Sequence, residues 1–542
     1  MPKLTIDGKE IEVPKGTRLI EAAKCAGIDV PYYCYHPGLS VAGNCRMCLV
    51  EVEKTPKLQI SCHIEAADGM VVRTNTEKVL KTRQHVLEFL LLNHPVDCPV
   101  CDQAGECWLQ DYYMKHGLYD SRLNEDKNKK PKAVPLGPNV MLDAERCILC
   151  SRCIRFCDEV SKTSELGFIN RGSHTEIAVA PGRQLDNKYS GNTVDICPVG
   201  ALTDRDFRFK IRVWYLKENN SVCSGCARGC SIQVHYNLDR PHHGKGERVK
   251  RLKPRYNAQV NKWWMCDEGR YGYKSHDANR ILEAVYRAPG QLKEMNGEEA
   301  IAELTAKMTS AGKKIGVLLS PQLSNEELYL AKQIFTGHLR LEDVALLSPN
   351  AEGFQDDILI RADKNPNTRG ASELGLKTGQ AGAVLEKAAS GGLEGLIVFG
   401  QDLTACFDAG KQKKAFEKLA WSCFVGSNHH LTSEFASHVI PAATHFEKEG
   451  TFTNFEGITQ KFEKVLEPLG SARAQWEILL ALGKSLGMNL PYERAEDIFH
   501  ELSLNVPFFK DLTYEKLNAG GEDIRAMAAP TIPSLEQYDN IL

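Results

Sequence analysis

Short segments of alternating polarity open the chain, and a succession of strand and helix patterns closes it. Leu4-Thr5-Ile6 and Glu10-Ile11-Glu12-Val13 flank an Asp7-Gly8 turn signal and predict a hairpin. Thr17 is the expected N-cap of a following helix whose apolar side is Leu19, Ile20, Ala22 and Ala23 and which ends at Gly27. Val79, Leu80, Val86, Leu87 and Leu90 recur at helical spacing and predict a second amphipathic helix, Glu77 to Asn93. Residues 119–139 are charged, carry prolines and keep no period, so they read as a linker. Beyond about residue 276 the texture becomes α/β: Ile315-Gly316-Val317-Leu318-Leu319, a Ser324-x-x-Glu327 capping box opening a helix, then Leu396-Ile397-Val398-Phe399. The longest apolar stretches, such as Phe89 to Leu92, fall far short of the roughly 20 residues needed to cross a bilayer. A soluble chain is expected.

Composition adds domain count and compartment. A chain of 542 residues is too long for one core, and 42% hydrophobic with 25% charged residues is globular usage. A formal net charge of -3 gives no electrostatic reason to bind nucleic acid or acidic lipid, so proteins are the expected partners. Met1-Pro2-Lys3-Leu4-Thr5-Ile6 has none of the marks of a secretory signal, which predicts a cytoplasmic chain. In a reducing compartment the 19 cysteines are not expected to form disulfides, and 17 of them precede residue 270. The first half is therefore read as metal-binding.

Four cysteine groups divide that half. The first is Cys34-x10-Cys45-x2-Cys48-x13-Cys62, following a strand-strand-helix opening that suits a small ferredoxin-like domain. Four thiolates hold a [2Fe-2S] cluster or a tetrahedral zinc ion, and this spacing departs from the plant-type run. The second is His94-x3-Cys98-x2-Cys101-x5-Cys107. Here His94 is either a neutral ligand, which would raise a cluster's potential as imidazole does in Rieske centres, or a group at the end of the preceding helix. The third, Cys147-x2-Cys150-x2-Cys153-x3-Cys157 with a distant Cys197-Pro198, is the bacterial ferredoxin run. In that pattern the fourth cysteine of each run serves the other cluster, so Cys147, Cys150 and Cys153 pair with Cys197. A second run ending at Cys197 needs cysteines where Asn187, Ser190 and Thr193 stand, so one cluster is expected, one is lost, and Cys157 is left as a structural thiol. The fourth group is Cys223-x2-Cys226-x3-Cys230 with Cys266, with zinc again the alternative to a cluster. Its basic stretch Arg248-Val249-Lys250-Arg251-Leu252 reads as a solvated β-surface. Cys25, Cys406 and Cys423 read as packing, and His429, His430, His438 and His445 as structural.

Taken in order, the groups resemble the large iron-sulfur subunit (75 kDa type) of bacterial NADH:quinone oxidoreductase, respiratory complex I. Further phrases carry the resemblance: His94-Pro95-Val96-Asp97-Cys98-Pro99-Val100-Cys101-Asp102, Cys197-Pro198-Val199-Gly200-Ala201-Leu202-Thr203 and Glu449-Gly450-Thr451-Phe452-Thr453-Asn454-Phe455-Glu456-Gly457. The resemblance implies one [2Fe-2S] cluster on Cys34, Cys45, Cys48 and Cys62, and three [4Fe-4S] clusters. These would sit on His94, Cys98, Cys101 and Cys107; on Cys147, Cys150, Cys153 and Cys197; and on Cys223, Cys226, Cys230 and Cys266. It implies a multidomain α+β and α/β fold. The parts are a [2Fe-2S] ferredoxin-like (β-grasp) domain at 1–78, a [4Fe-4S] domain with one histidine and three cysteine ligands at 79–118 and a linker at 119–139. A ferredoxin-like [4Fe-4S] domain at 140–210, a molybdopterin-oxidoreductase-type [4Fe-4S] domain at 216–275 and a truncated molybdopterin-oxidoreductase-like α/β domain at 276–542 complete it.

Catalytic relatives carry Lys in Cys-x-Lys-Gly-Arg, where this chain reads Cys266-Asp267-Glu268-Gly269-Arg270, so no molybdopterin is expected. The function implied is electron relay. Electrons from an NADH/FMN-binding partner subunit would pass through groups one, three and two toward quinone, with group four off the main route. No separate active site is expected in this chain, which would be peripheral on the cytoplasmic side of the inner membrane within the complex. The alternative is a subunit of an NAD-linked hydrogenase or formate dehydrogenase; a zinc-held scaffold is the third reading.

Overall fold

The computed structural model describes residues 1–518 apart from 241, 245, 289–290 and 348–352. Residues of the expected last domain beyond 518 lie outside that range. The chain divides into two compact units, Met1–Leu216 and a second that begins at Lys217.

The first unit opens on a five-stranded sheet. Lys3–Ile6 pairs antiparallel with Lys9–Glu12 and parallel with Val71–Arg73, and Leu49–Val52 joins Val71–Arg73 to Gln59–Ile60. The helix Leu19–Cys25 buries Leu19, Ile20, Ala22 and Ala23 in the same core as Leu4, Ile6, Val50 and Val72. Its N-cap is Arg18 rather than the expected Thr17. The Thr17 carbonyl is instead engaged by the Ala66 N–H at 2.8 Å, which ties the turn to a distant loop and moves the helix start by one residue.

The helix Glu77–Leu91 starts at Thr76, whose side chain accepts from the Val79 N–H. It ends two residues earlier than expected, because Pro95 disfavours helical backbone at His94. The stretch read as a linker is anchored. Val134–Pro135 pairs with Val140–Leu142, Lys127 donates to the Leu91 carbonyl at 2.9 Å, and Lys132 meets Glu145 at 2.6 Å. Its lysines carry partners that a search for apolar period does not see. Val140–Leu142 also pairs with Leu202–Asp204, the helices Arg152–Glu159 and Asn192–Asp195 lie between them in sequence, and Leu166–Ile169 with Glu176–Val179 makes a separate hairpin.

The second unit opens on an antiparallel sheet of Lys217–Val222, Ser231–Tyr236 and Val249–Pro254. The basic stretch expected at a solvated surface is buried there. Lys250 is 0% and Arg251 8% exposed, and the Lys250 ammonium donates to the His243 and Glu247 carbonyls. Backbone carbonyls satisfy the cation, which local sequence cannot announce. A seven-stranded sheet follows in the order Gln291–Met295, Ala284–Ala288, His438–Pro441, Trp421–Gly426, Gly395–Phe399, Ile315–Leu319 and Val344–Leu346, parallel from the third strand on. Alternate residues feed two cores: Val317, Ile397 and Val425 on one face, Leu318, Val398 and Phe424 on the other. The expected capping box is present, with the Glu327 N–H donating to Ser324 and the Ser324 N–H to Glu327. No helix among the described residues is long and apolar enough to cross a membrane.

Candidate metal centres

In group one, thiols meet in pairs. The Cys45 thiol hydrogen-bonds to Cys34 and lowers it to about 5, and a hydrogen bond from the Cys62 thiol holds Cys48 below its ordinary value. Backbone supports the pairing through the Cys34 N–H, which donates to the Cys45 sulfur at 3.5 Å. In each pair one thiol is readied to ionise while its partner, Cys45 or Cys62, is raised and keeps the proton, and four such sulfurs suit a cationic iron centre once the remaining protons leave.

In group three, Cys147, Cys153 and Cys197 each lie close enough to feel the charge of Cys150. Burial pushes Cys147 up to about 12 and Cys197 up to about 11. Thiols raised this far keep their protons at neutral pH unless a bound cation takes their place. Ser151 and Leu149 adopt left-handed backbone, and this tight loop turns the Leu149 N–H to the Cys147 sulfur at 3.4 Å.

Cys157 is buried behind the set, and its thiol is raised to about 12 by burial, then by Glu165. The three positions that lack cysteine form a packed polar region. Asn187 donates to Glu165, the Thr193 hydroxyl to the Ser190 carbonyl at 2.7 Å, and Asn139 to the Ser190 hydroxyl at 3.1 Å.

Group two is carried by a short turn, Cys98–Val100, and by the N-cap of the helix Trp108–His116, which is Cys107. Burial raises Cys107 to about 12 and lowers His94 to about 4, so the imidazole is neutral, as a ligand must be. The Val96 N–H donates to His94 Nδ1 at 3.2 Å. To ligate through either nitrogen the ring has to give up that bond, because Nδ1 turns its lone pair to the metal or, in the tautomer that frees Nε2, carries the proton.

The three groups adjoin. Tyr33, Cys34, Cys107, Cys150 and Val199 belong to one apolar cluster, against which Cys45, Cys147 and Cys197 also pack. Arg155 donates to the carbonyls of Cys34 and, at 3.5 Å, Cys150, while Asn44 reaches the Leu149 carbonyl at 3.3 Å. Arg152, 2% exposed, donates to the carbonyls of Tyr35 and Ile196 and stacks 4.5 Å from the Trp108 ring centre. Groups three and two are joined by the Trp108 N–H to the Pro198 carbonyl at 3.0 Å and by Arg146 paired with Asp97 at 2.6 Å. A Cβ on Gly200 would stand 2.3 Å from the Cys101 sulfur, so only glycine fits. The residues that cement the groups, Arg152, Arg155 and Arg146, are ones the sequence reading missed. Their position beside cysteines was visible; their partners, about 50 to 120 residues away, were not.

Group four lines a single cavity in the second unit, where Cys223, Cys226, Cys230 and Cys266 are joined by Leu359, Ile360, Glu268 and Lys364. The Gly225 N–H points at the Cys223 sulfur (3.5 Å) and the Gly269 N–H at the Cys266 sulfur (3.3 Å). A Cβ on Gly269 would lie 3.0 Å from the Cys223 sulfur, which makes this glycine part of the cradle. Burial raises Cys266 to about 12. Glu268 pairs with Lys364 at 3.0 Å, so a cation from elsewhere in the chain reaches the edge of the thiol cavity. A neighbouring cavity of about 320 Å³ is lined by Tyr273, His276, Gln322 and His445, with Glu268 and Lys364 bordering both.

The histidines read as structural sit against protein groups: His445 Nε2 is 3.1 Å from the Val222 carbonyl, His438 Nε2 3.2 Å from Glu303, and His430 Nδ1 3.6 Å from Asp402. Cys423 is fully buried in the sheet core.

Fold and thiol sets together define a protein with [2Fe-2S] and [4Fe-4S] binding domains. The family described as the 2Fe-2S iron-sulfur cluster binding domain matches residues 2–77, and the NADH-ubiquinone oxidoreductase-G iron-sulfur binding region matches 83–122. The NADH-quinone oxidoreductase subunit 3 ferredoxin-like domain matches 137–203. The molybdopterin oxidoreductase Fe4S4 domain matches 216–277, and molybdopterin oxidoreductase itself 362–485.

Among relatives, the 78 kDa subunit of mitochondrial NADH-ubiquinone oxidoreductase from Neurospora crassa is 30% identical, over 91% of this chain and 81% of its own. The G-type subunit of NADH-quinone oxidoreductase from Rickettsia felis is 40% identical over 335 residues, 62% of this chain and 49% of that one. The matched stretch thus spans about half the length of that bacterial relative. A chain of an NAD+-reducing [NiFe]-hydrogenase shares 30% identity over 39% of this chain and 91% of its own, with a TM-score of 0.36, too low to define a common architecture. The chain belongs to the family of the large iron-sulfur subunit of NADH:quinone oxidoreductase.

Proposed function

We propose that this chain is the electron-relay subunit of NADH:quinone oxidoreductase and holds one [2Fe-2S] and three [4Fe-4S] clusters on the sixteen ligands named above. The observation that carries this reading is the shared apolar cluster of groups one, three and two, in which thiols from all three pack together. A bound cluster supplies one-electron chemistry, and its transfer rate depends on spacing and burial. The chain's own residues hold the thiols, direct N–H groups at sulfur, and keep water out with Tyr33, Leu87, Tyr112 and Val199. Arg152 and Arg155 fix the loops of groups one and three to each other, so the interval between centres is set by rigid bonds rather than by loop fluctuation.

Electrons enter from an NADH/FMN-binding subunit at the group-one side and leave from group two toward a quinone-proximal partner. Group four lies off this route. No acid, base or nucleophile of this chain takes part, and the chain is peripheral on the cytoplasmic side of the inner membrane through the complex. In the purified complex, Cys98→Ser is expected to abolish NADH-driven quinone reduction while NADH oxidation with a soluble acceptor at the flavin persists. Cys266→Ser is expected to retain most quinone reduction. Full quinone reduction in the Cys98→Ser complex would refute the relay.

A further inference from the structure

The phrase 449–457 contains no cysteine, yet part of it wraps the loop of group four. The Phe455 N–H donates to the Ala227 carbonyl at 3.0 Å, Asn454 donates to the Arg228 carbonyl at 3.3 Å, and Gln460, just beyond, donates to the Gly229 carbonyl at 2.7 Å. Arg228 itself stands between Cys226 and Cys230. Its guanidinium lies 4.7 Å from the Phe455 ring centre, its Nε donates to the Leu359 carbonyl at 3.3 Å, and its Nη1 meets Glu456 at 3.3 Å. Arg361 stacks on the same ring at 4.1 Å. The Arg228 side chain is 15% exposed, whereas Glu456 is 41% exposed.

We propose that Arg228, held in place by Phe455, is the residue that sets the reduction potential of the group-four centre. The inference rests on reading Cys223, Cys226, Cys230 and Cys266 as a [4Fe-4S] site. Reduction adds one electron, hence one negative charge, inside the thiolate cage. A cation held in a poorly solvated place favours that charge, and the stack and the Leu359 bond prevent the cation from swinging into water. The other nearby cations contribute less. Lys364, 25% exposed against 15% for Arg228 and paired with Glu268 at 3.0 Å, is the better solvated cation, and Arg361 stacks on the Phe455 ring at 4.1 Å and stands outside the Cys226–Cys230 loop in sequence. Glu456 partly offsets Arg228 but is screened by its exposure. Phe455 is a positioning residue.

The test is an EPR-monitored redox titration of the group-four signal in the purified complex. Arg228→Gln is expected to lower the midpoint, changing the reduced-to-oxidised ratio at fixed potential about tenfold, about 59 mV for one electron. Arg228→Lys, which keeps the charge, is expected to restore most of the shift, and Glu456→Gln to raise the midpoint. Equal shifts in the Gln and Lys variants, or no shift in Arg228→Gln or in Glu456→Gln, would overturn the inference. A wild-type signal that survives Cys266→Ser overturns the four-cysteine reading and the inference with it; a signal lost in Cys266→Ser but unmoved in Arg228→Gln overturns the inference alone.

Discussion

At Glu447 two guanidiniums converge on one buried carboxylate. Arg280 binds both oxygens at 2.7 Å and Arg248 adds a third contact at 2.7 Å. Burial raises this carboxyl, but hydrogen bonds from Arg280, the Thr444 N–H and Arg248 outweigh it and hold the group below its ordinary value. Glu447→Gln leaves two cations facing a neutral amide and is expected to cost about 3–5 kcal/mol in denaturant unfolding of the second unit. A lowered folded value means stability that is present above the unfolded carboxyl range and lost as pH falls through the folded one. Glu447 should therefore contribute to acid unfolding of the wild type below about pH 4, and the Gln variant should lose that share of the pH dependence while Asp402 and Asp497, also held low, keep theirs. Glycines at sulfur give a second residue-scale outcome. Gly200→Ala forces a methyl into the space 2.3 Å from the Cys101 sulfur, and is expected to remove one [4Fe-4S] equivalent from iron and acid-labile sulfide analysis. The cysteines themselves were legible because ligand spacing is a local property of the chain. The glycines were not singled out, since their restriction comes from sulfurs that only the fold brings near.

Helices and strands carry the sites by where they start and stop. Cys107 and Cys266 are each the N-cap of a helix, which places their sulfurs beside free N–H groups. The helix Glu77–Leu91 leads into His94, so its own stability bears on group two. Thr76→Ala removes the cap to Val79 and is expected to cost about 1 kcal/mol by denaturant unfolding. Element type was readable from period and capping: the hairpin, the amphipathic helix and the Ser324 capping box all stand where the sequence places them. Ends and exposure were less readable. Arg18 replaces Thr17 as a cap because a loop carbonyl is engaged from afar, and Lys250 is buried because two carbonyls receive its ammonium. Both depend on partners outside the window in which periodicity is measured.

For the whole molecule, the proposed relay depends on an order of centres that no local motif contains. Bonds such as Arg152 to Tyr35 and Trp108 to Pro198 fix groups one, three and two in one body, and they join residues roughly 90 to 120 apart in the chain. The second unit retains the α/β sheet of a molybdopterin oxidoreductase while Glu268 meets Lys364 beside its thiol cavity. We expect metal analysis of the anaerobically purified complex to find no stoichiometric molybdenum or tungsten. Either metal together with formate-dependent reduction would favour the formate dehydrogenase alternative. The claim that four centres occupy these ligand sets is tested most directly by low-temperature EPR of the reduced complex, comparing wild type with His94→Cys and Cys266→Ser. The account predicts that His94→Cys shifts one [4Fe-4S] signal and that Cys266→Ser abolishes a different one, the rest unchanged. Spectra in which neither variant alters a cluster signal would contradict it.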